Sequence, residues 1–115
     1  MRQWRTIILT MQFIETSIFT RQVTTLLKDD EYRQLQVALF VHPESGVIIP
    51  QSGGLRKIRW AITGRGKRGG VRAIYYWVVA KDQILMLFMY SKNEKDDLTP
   101  QQLKVLREIV EKEFK

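Results

Sequence analysis

Three cations are the residues of this chain best placed to do chemistry: Lys57, Arg59 and Arg72. Lys57 and Arg59 alternate with Ile58, Trp60 and Ile62. That is the pattern of a strand with one apolar face, so both cations share the opposite face, roughly 6.5–7 Å apart. Arg72 lies near the start of a second strand-like run, Val71–Val79. Between Glu44 and Asp82 no acidic residue occurs, while eight basic ones do: Arg56, Lys57, Arg59, Arg65, Lys67, Arg68, Arg72 and Lys81. The other eleven lysines and arginines nearly balance the chain's 12 acids, so the net charge of +7 sits in this one segment. Cations on neighbouring strands repel one another, and no local carboxylate neutralises these. Charge that protects a sheet edge from aggregation is the plainer explanation, but a cluster this one-sided exceeds what protection requires. It suits a polyanion. Arginine grips phosphate oxygens with two donors, which makes Arg59 and Arg72 candidate clamps, and a lysine crowded by arginines makes Lys57 a candidate base.

Other chemistries find less support. The loop Gly64–Gly70, GRGKRGG, is followed by a strand rather than a helix, and no Ser or Thr follows its Gly-Lys pair, so neither nucleotide-binding fingerprint fits. Its Arg65, Lys67 and Arg68 fit an arm that follows a nucleic-acid backbone, with Arg56 as a further contact. Tyr75, Tyr76, Trp77, Phe88 and Tyr90 are expected to be mostly core, with one or two free to stack on bases. The chain has one histidine and no cysteine. His42, beside Pro43, reads as a helix end, which leaves Ser/His/Asp and Cys/His catalysis unsupported. No metal site and no cofactor are expected, because the acids cluster on helices.

The elements that must position these residues follow from periodicity. At 115 residues the chain reads as one domain. Met1–Thr10 reads as an extension ahead of Met11, with an extra edge strand as the alternative. A short strand, Gln12–Glu15, leads to a helix capped by Thr16 or Ser17, with Ile18, Phe19, Val23, Leu26 and Leu27 on one face. Asp29 and Asp30 are candidate caps for a second helix whose stripe is Tyr32, Leu35, Ala38 and Leu39. His42-Pro43 ends it. Leu55–Ile62 and Val71–Val79 are strands around the basic hairpin. Ile84–Tyr90, apolar on both sides, is a central strand. Thr99-Pro100-Gln101-Gln102 starts the last helix. The order β-α-α-β-β-β-α predicts a small α+β sandwich, an antiparallel sheet with two N-terminal helices and one C-terminal helix, mainly on one face. The N-terminus lacks a signal-peptide cleavage site, no run is long enough to span a bilayer, and a cytoplasmic location is expected.

GGLRKIR, GKRGGVRAIYY and YSKNEKDDLTPQQLK, in that order, resemble the RelE/ParE superfamily of bacterial toxins, most closely the HigB-type branch of type II toxin–antitoxin modules. The resemblance runs from about Met11 to the last helix. It implies the RelE-like fold and a ribosome-dependent endoribonuclease that cuts mRNA in the decoding site. It also implies a cognate antitoxin, usually a helix-turn-helix protein that represses the shared operon. By position, the family's basic pair falls on Lys57 and Arg59 and the arginine after the hairpin glycines on Arg72. The basic residue after the last strand falls on Lys92, with Asn93 where arginine is common. The C-terminal tyrosine of some members has no counterpart in Lys95–Gln102, and Tyr90 is the nearest candidate for its stacking or proton-transfer role. A ParE-like inhibitor acting on a protein target such as DNA gyrase shares the fold, but those proteins generally lack the basic cluster. A plain nucleic-acid-binding module is the third possibility. Phe19 and Tyr32 on the first two helices are read as anchor points for the antitoxin, with a place in the core as the equal alternative.

Overall fold

The structure is a computed structural model that describes residues 4–8, 11–61, 70–92 and 97–114. Among these the order is β1 (Trp4–Ile8), β2 (Gln12–Thr16), α1 (Ser17–Leu26), α2 (Asp29–Val41), β3 (Val47–Ile48), β4 (Arg56–Trp60), β5 (Val71–Val78), β6 (Gln83–Ser91) and α3 (Pro100–Phe114). No helix among the described residues is long and apolar enough to cross a membrane.

The helix starts follow local chemistry. Thr16 caps α1: its Oγ1 accepts from the Phe19 N–H at 3.0 Å and donates to the Leu87 carbonyl at 2.9 Å, tying the helix start to β6. The cap of α2 is Lys28 rather than either aspartate. Glu31 reaches back to accept the Lys28 N–H at 2.7 Å, and Asp29 and Asp30 fill the first turn, where negative charge meets the positive end of the helix dipole. Thr99 and Gln102 cap α3 reciprocally, at 2.9 and 3.1 Å, with Pro100 as its first residue.

The strands form one sheet in the order β1-β2-β6-β5-β4-β3. It is mixed rather than purely antiparallel, because β2 runs parallel to β6 while the other neighbours are antiparallel. The helix pair α1–α2 carries the chain from β2 to the other side of the sheet, which permits that parallel pairing. Two strands join the expected set. β3 is a two-residue edge, and β1 makes residues 4–8 the edge strand that was the alternative reading of Met1–Thr10.

Helices cover both faces, against the expectation of one. On the first, α1 and α2 bury Phe19, Val23, Leu35 and Leu39 against Phe13, Tyr75, Ile84, Met86 and Met89. On the second, α3 buries Leu106 and Val110 against Leu55, Ile74, Leu85 and Leu87. This is why β6 is apolar on both sides. Phe19 is fully buried and Tyr32 nearly so, which removes both as partner anchors. Tyr32 instead donates to Glu15, a completely buried carboxylate that also accepts from Thr20 at 2.7 Å and from Arg5 at 2.6 and 2.9 Å. Burial, with Glu15 beside it, pushes the Tyr32 phenol far up from the usual tyrosine range.

One irregularity decides which side chains meet. Ile74 pairs with Phe88 but Tyr75 pairs with Met86, so Leu87 is a bulge in β6. The bulge shifts the alternation by one residue. Met89 therefore joins Ile84 and Met86 under α1–α2, while Tyr90 joins Leu85 and Leu87 on the α3 face.

Candidate functional site

Arg59, Arg72 and Tyr90 form one row across three strands, because Arg59 is the register partner of Arg72 and Arg72 of Tyr90. Lys57 stands one pleat along, opposite Ile74, which in turn faces Phe88. All lie on the α3 face. α3 covers the apolar part of that face. Arg59 is exposed and Arg72 half-buried. Register partners in antiparallel strands bring Cβ atoms within about 4.5–5.5 Å, so two guanidiniums on neighbouring strands repel. Neither has a carboxylate partner among the described residues. Among the described residues the Arg72 side chain donates to the Val71 carbonyl alone, at 3.3 Å.

Lys57 is partnered by an acid brought from forty residues away. Its Nζ lies 3.3 Å from Asp97 Oδ1, and the Lys57 side chain is 23% exposed against 65% for Asp97. The same Oδ1 accepts the N–H of the next residue, Leu98, at 2.9 Å, immediately ahead of the Thr99 cap of α3. The acid-free stretch from Glu44 to Asp82 is thus only locally acid-free.

Tyr90 is 3% exposed, and its hydroxyl is buried with no hydrogen-bond partner among the described residues. Burial pushes the phenol up from the usual tyrosine range, the charge of Asp97 pushes it the same way, and Arg72 and Arg59 pull it down. Leaving a buried hydroxyl unpaired costs about 1–3 kcal/mol, a cost that a ligand oxygen would remove. The Phe88 ring stands 6.1 Å from that of Tyr90, centroid to centroid. Tyr76 and Phe88, half-buried on this face, are the aromatics beside the cluster, whereas Tyr75 and Trp77 pack on the other side.

Not every candidate joins the site. Arg56 points to the α1–α2 face, where its Nη1 donates to the Glu44 and Gly46 carbonyls at 3.0 and 2.8 Å and pins the loop after α2. Gly46 is required there, since a Cβ would come within 2.7 Å of the Tyr75 ring. Tyr75 itself donates to the Pro43 carbonyl at 2.7 Å and accepts the Gly46 N–H at 2.8 Å. Lys92 is exposed at the end of β6, its N–H donating to the Gly70 carbonyl at 3.2 Å. Arg65, Lys67, Arg68 and Asn93 lie outside the described residues. Asp97 was missed in sequence because its relevance depends on a long-range contact. The only local hint was its place just before the helix cap.

Residues 11–115 match the family described as the RelE toxin of the RelE/RelB toxin–antitoxin system. The chain belongs to that family. It is a toxin of a toxin–antitoxin system and has a cognate antitoxin as partner. The match begins one residue before β2, so β1 lies outside the matched stretch.

Proposed function

We propose that this toxin is a ribosome-dependent endoribonuclease of the HigB-type branch, which stops translation by cutting mRNA in the decoding site. The observation that carries the proposal is the row Arg59–Arg72–Tyr90 with Lys57 beside it, two guanidiniums with no carboxylate partner and a buried hydroxyl with no hydrogen-bond partner among the described residues, side by side on neighbouring strands. A phosphodiester fits that spot. Cleavage proceeds by attack of the RNA's own 2′-hydroxyl on the adjacent phosphate, giving a cyclic phosphate and a free 5′-hydroxyl. Charge grows on the non-bridging oxygens during this step, and preset cations stabilise it more than they stabilise the ground state. Arg59 and Arg72 supply those cations, and the Tyr90 hydroxyl supplies a donor. Arg65, Lys67 and Arg68, with Lys92 and Asn93, follow the RNA backbone. The ribosome supplies the in-line alignment, so the free toxin is nearly inactive. The antitoxin is a helix-turn-helix protein that also represses their shared operon, and toxin and antitoxin meet in the cytoplasm.

The test is primer extension on a reporter mRNA after brief induction, with translation running and with it blocked. Cleavage that depends on translation is expected. Lys57→Ala, Arg59→Ala and Arg72→Ala should each relieve growth arrest while remaining folded. The loss of one charge-assisted contact in the transition state costs on the order of 2–4 kcal/mol, or roughly 10²–10³ in rate. Growth arrest without mRNA cleavage, unchanged in all three folded variants, would sink the proposal and point to a protein target such as DNA gyrase.

A further inference from the structure

Cleavage by a 2′-hydroxyl needs a group that accepts its proton, and the cluster is short of acceptors. Arginine carries five donors and no acceptor, and a lysine ammonium carries three donors and no acceptor. Tyr90 is a protonated phenol whose oxygen is buried. Among the described residues that face this spot from β4, β5, β6 and the α3 start, namely Lys57, Arg59, Arg72, Tyr90 and Asp97, one is a carboxylate. Its hydrogen bonds from described residues, from Lys57 Nζ and from Leu98 N–H, both fall on Oδ1. Oδ2 accepts none among the described residues, and the side chain is 65% exposed. The Leu98 N–H, one residue ahead of the Thr99 cap of α3, and the Lys57 ammonium both hold Oδ1, which leaves Oδ2 as a positioned base.

We propose that Asp97 is the general base of the reaction and that Lys57, its ion-pair partner, is the general acid. The assignment rests on the nuclease function proposed above. The 2′ O–H bond breaks and its proton goes to an Asp97 oxygen, while the 2′ oxygen bonds to phosphorus. The P–O5′ bond breaks and the 5′ oxygen takes a proton from the Lys57 ammonium. Transfer of the Asp97 proton to the Lys57 amine, across their 3.3 Å contact, restores both groups without outside reagents. The pair therefore serves as a two-site proton relay, and Arg59 and Arg72 remain charge clamps.

The experiment is single-turnover cleavage of mRNA on programmed ribosomes by the purified full chain. It compares the wild type with Asp97→Asn, Asp97→Glu and Asp96→Asn, and uses a normal RNA and one with sulfur in place of the scissile 5′ oxygen. Sulfur leaves without protonation, so that substrate bypasses the acid but not the base. Asn at 97 can still accept the Leu98 N–H, so thermal melting and ribosome binding should hold. Asp97→Asn should lose roughly 10²–10⁴-fold in rate on both substrates. Asp97→Glu should recover part of it, and Asp96→Asn should match the wild type. Lys57→Ala should be slow on the normal RNA and largely rescued by the sulfur substrate. Wild-type rates for Asp97→Asn, or a defect that vanishes at saturating toxin, would overturn the assignment of Asp97. A Lys57→Ala defect that sulfur leaves untouched would overturn that of Lys57. A wild-type protein that cuts nothing on ribosomes would instead remove the nuclease function itself, a distinct result.

Discussion

At the scale of single residues, Tyr90 separates stability from function. Its hydroxyl is buried among Arg72, Arg59 and Asp97 with no described partner, so the folded protein carries a desolvation cost there. Tyr90→Phe removes the oxygen and keeps the ring packed beside Phe88. The variant should be equal to the wild type in urea unfolding at neutral pH or more stable by up to about 1–2 kcal/mol, yet slower in mRNA cleavage. The pH dependence has a definite sign. A phenol whose folded value is raised stabilises the fold fully below the unfolded tyrosine value of about 10, and that contribution is lost as pH rises through the folded value. Tyr90→Phe should therefore lose less stability than the wild type above about pH 10. Marked destabilisation at neutral pH would mean that the hydroxyl has a partner in the folded protein. Full cleavage activity would mean that it meets no RNA.

At the scale of elements, the edge strand β1 is held by a charge it alone supplies. Arg5 makes two hydrogen bonds to Glu15, which sits at zero exposure in β2 beneath α1 and α2. Without Arg5, the carboxylate keeps Thr20 and Tyr32 but loses its only cation among these partners. Hydrogen bonds to a buried charge contribute roughly 1.5–3 kcal/mol, and the half-exposed arginine places the effect of Arg5→Ala near the lower end. A chain starting at Met11 loses the strand as well and should be destabilised further. Urea unfolding of both, with Glu15→Gln as the second arm of a double-mutant cycle, checks this. An Arg5→Ala effect of the same size in the Glu15→Gln background would mean that the pair is not coupled. The sequence marked the caps of α1 and α3, though not the Lys28 cap of α2, together with the two-sided burial of β6 and the cationic alternation of β4, because each depends on neighbours within a few positions. It could not mark Arg5 as the partner of Glu15, the Leu87 bulge that brings Tyr90 to the cationic face, or Asp97 beside Lys57. Those follow from strand pairing and helix docking, which join residues ten to forty positions apart. Two-sided burial of β6 already implied a helix on each face.

At the scale of the whole molecule, charge governs how the toxin meets its partners. Its excess of +7 comes from one segment, and three of that segment's cations, Lys57, Arg59 and Arg72, lie on a face where Asp97 is the only described counter-charge. The family membership supplies a cognate antitoxin, which must recognise a surface with this field. A partner that offers carboxylates to it is drawn in over a Debye length, about 8–10 Å at ordinary ionic strength, before any apolar contact forms. The association rate should then fall by at least about tenfold as salt rises from low to several hundred millimolar. Dissociation, set by desolvated contacts, should change far less. Replacing Arg59 and Arg72 by Gln should lower the association rate at low salt and flatten its salt dependence, with little effect on release. Co-expression with the adjacent reading frame, affinity purification and stopped-flow binding at several salt concentrations provide the measurement. A partner whose association ignores salt, and ignores Arg59→Gln with Arg72→Gln, docks away from the cationic row. Its inhibition would then come from bulk that keeps the toxin out of the ribosomal site, and the row would stay open in the complex.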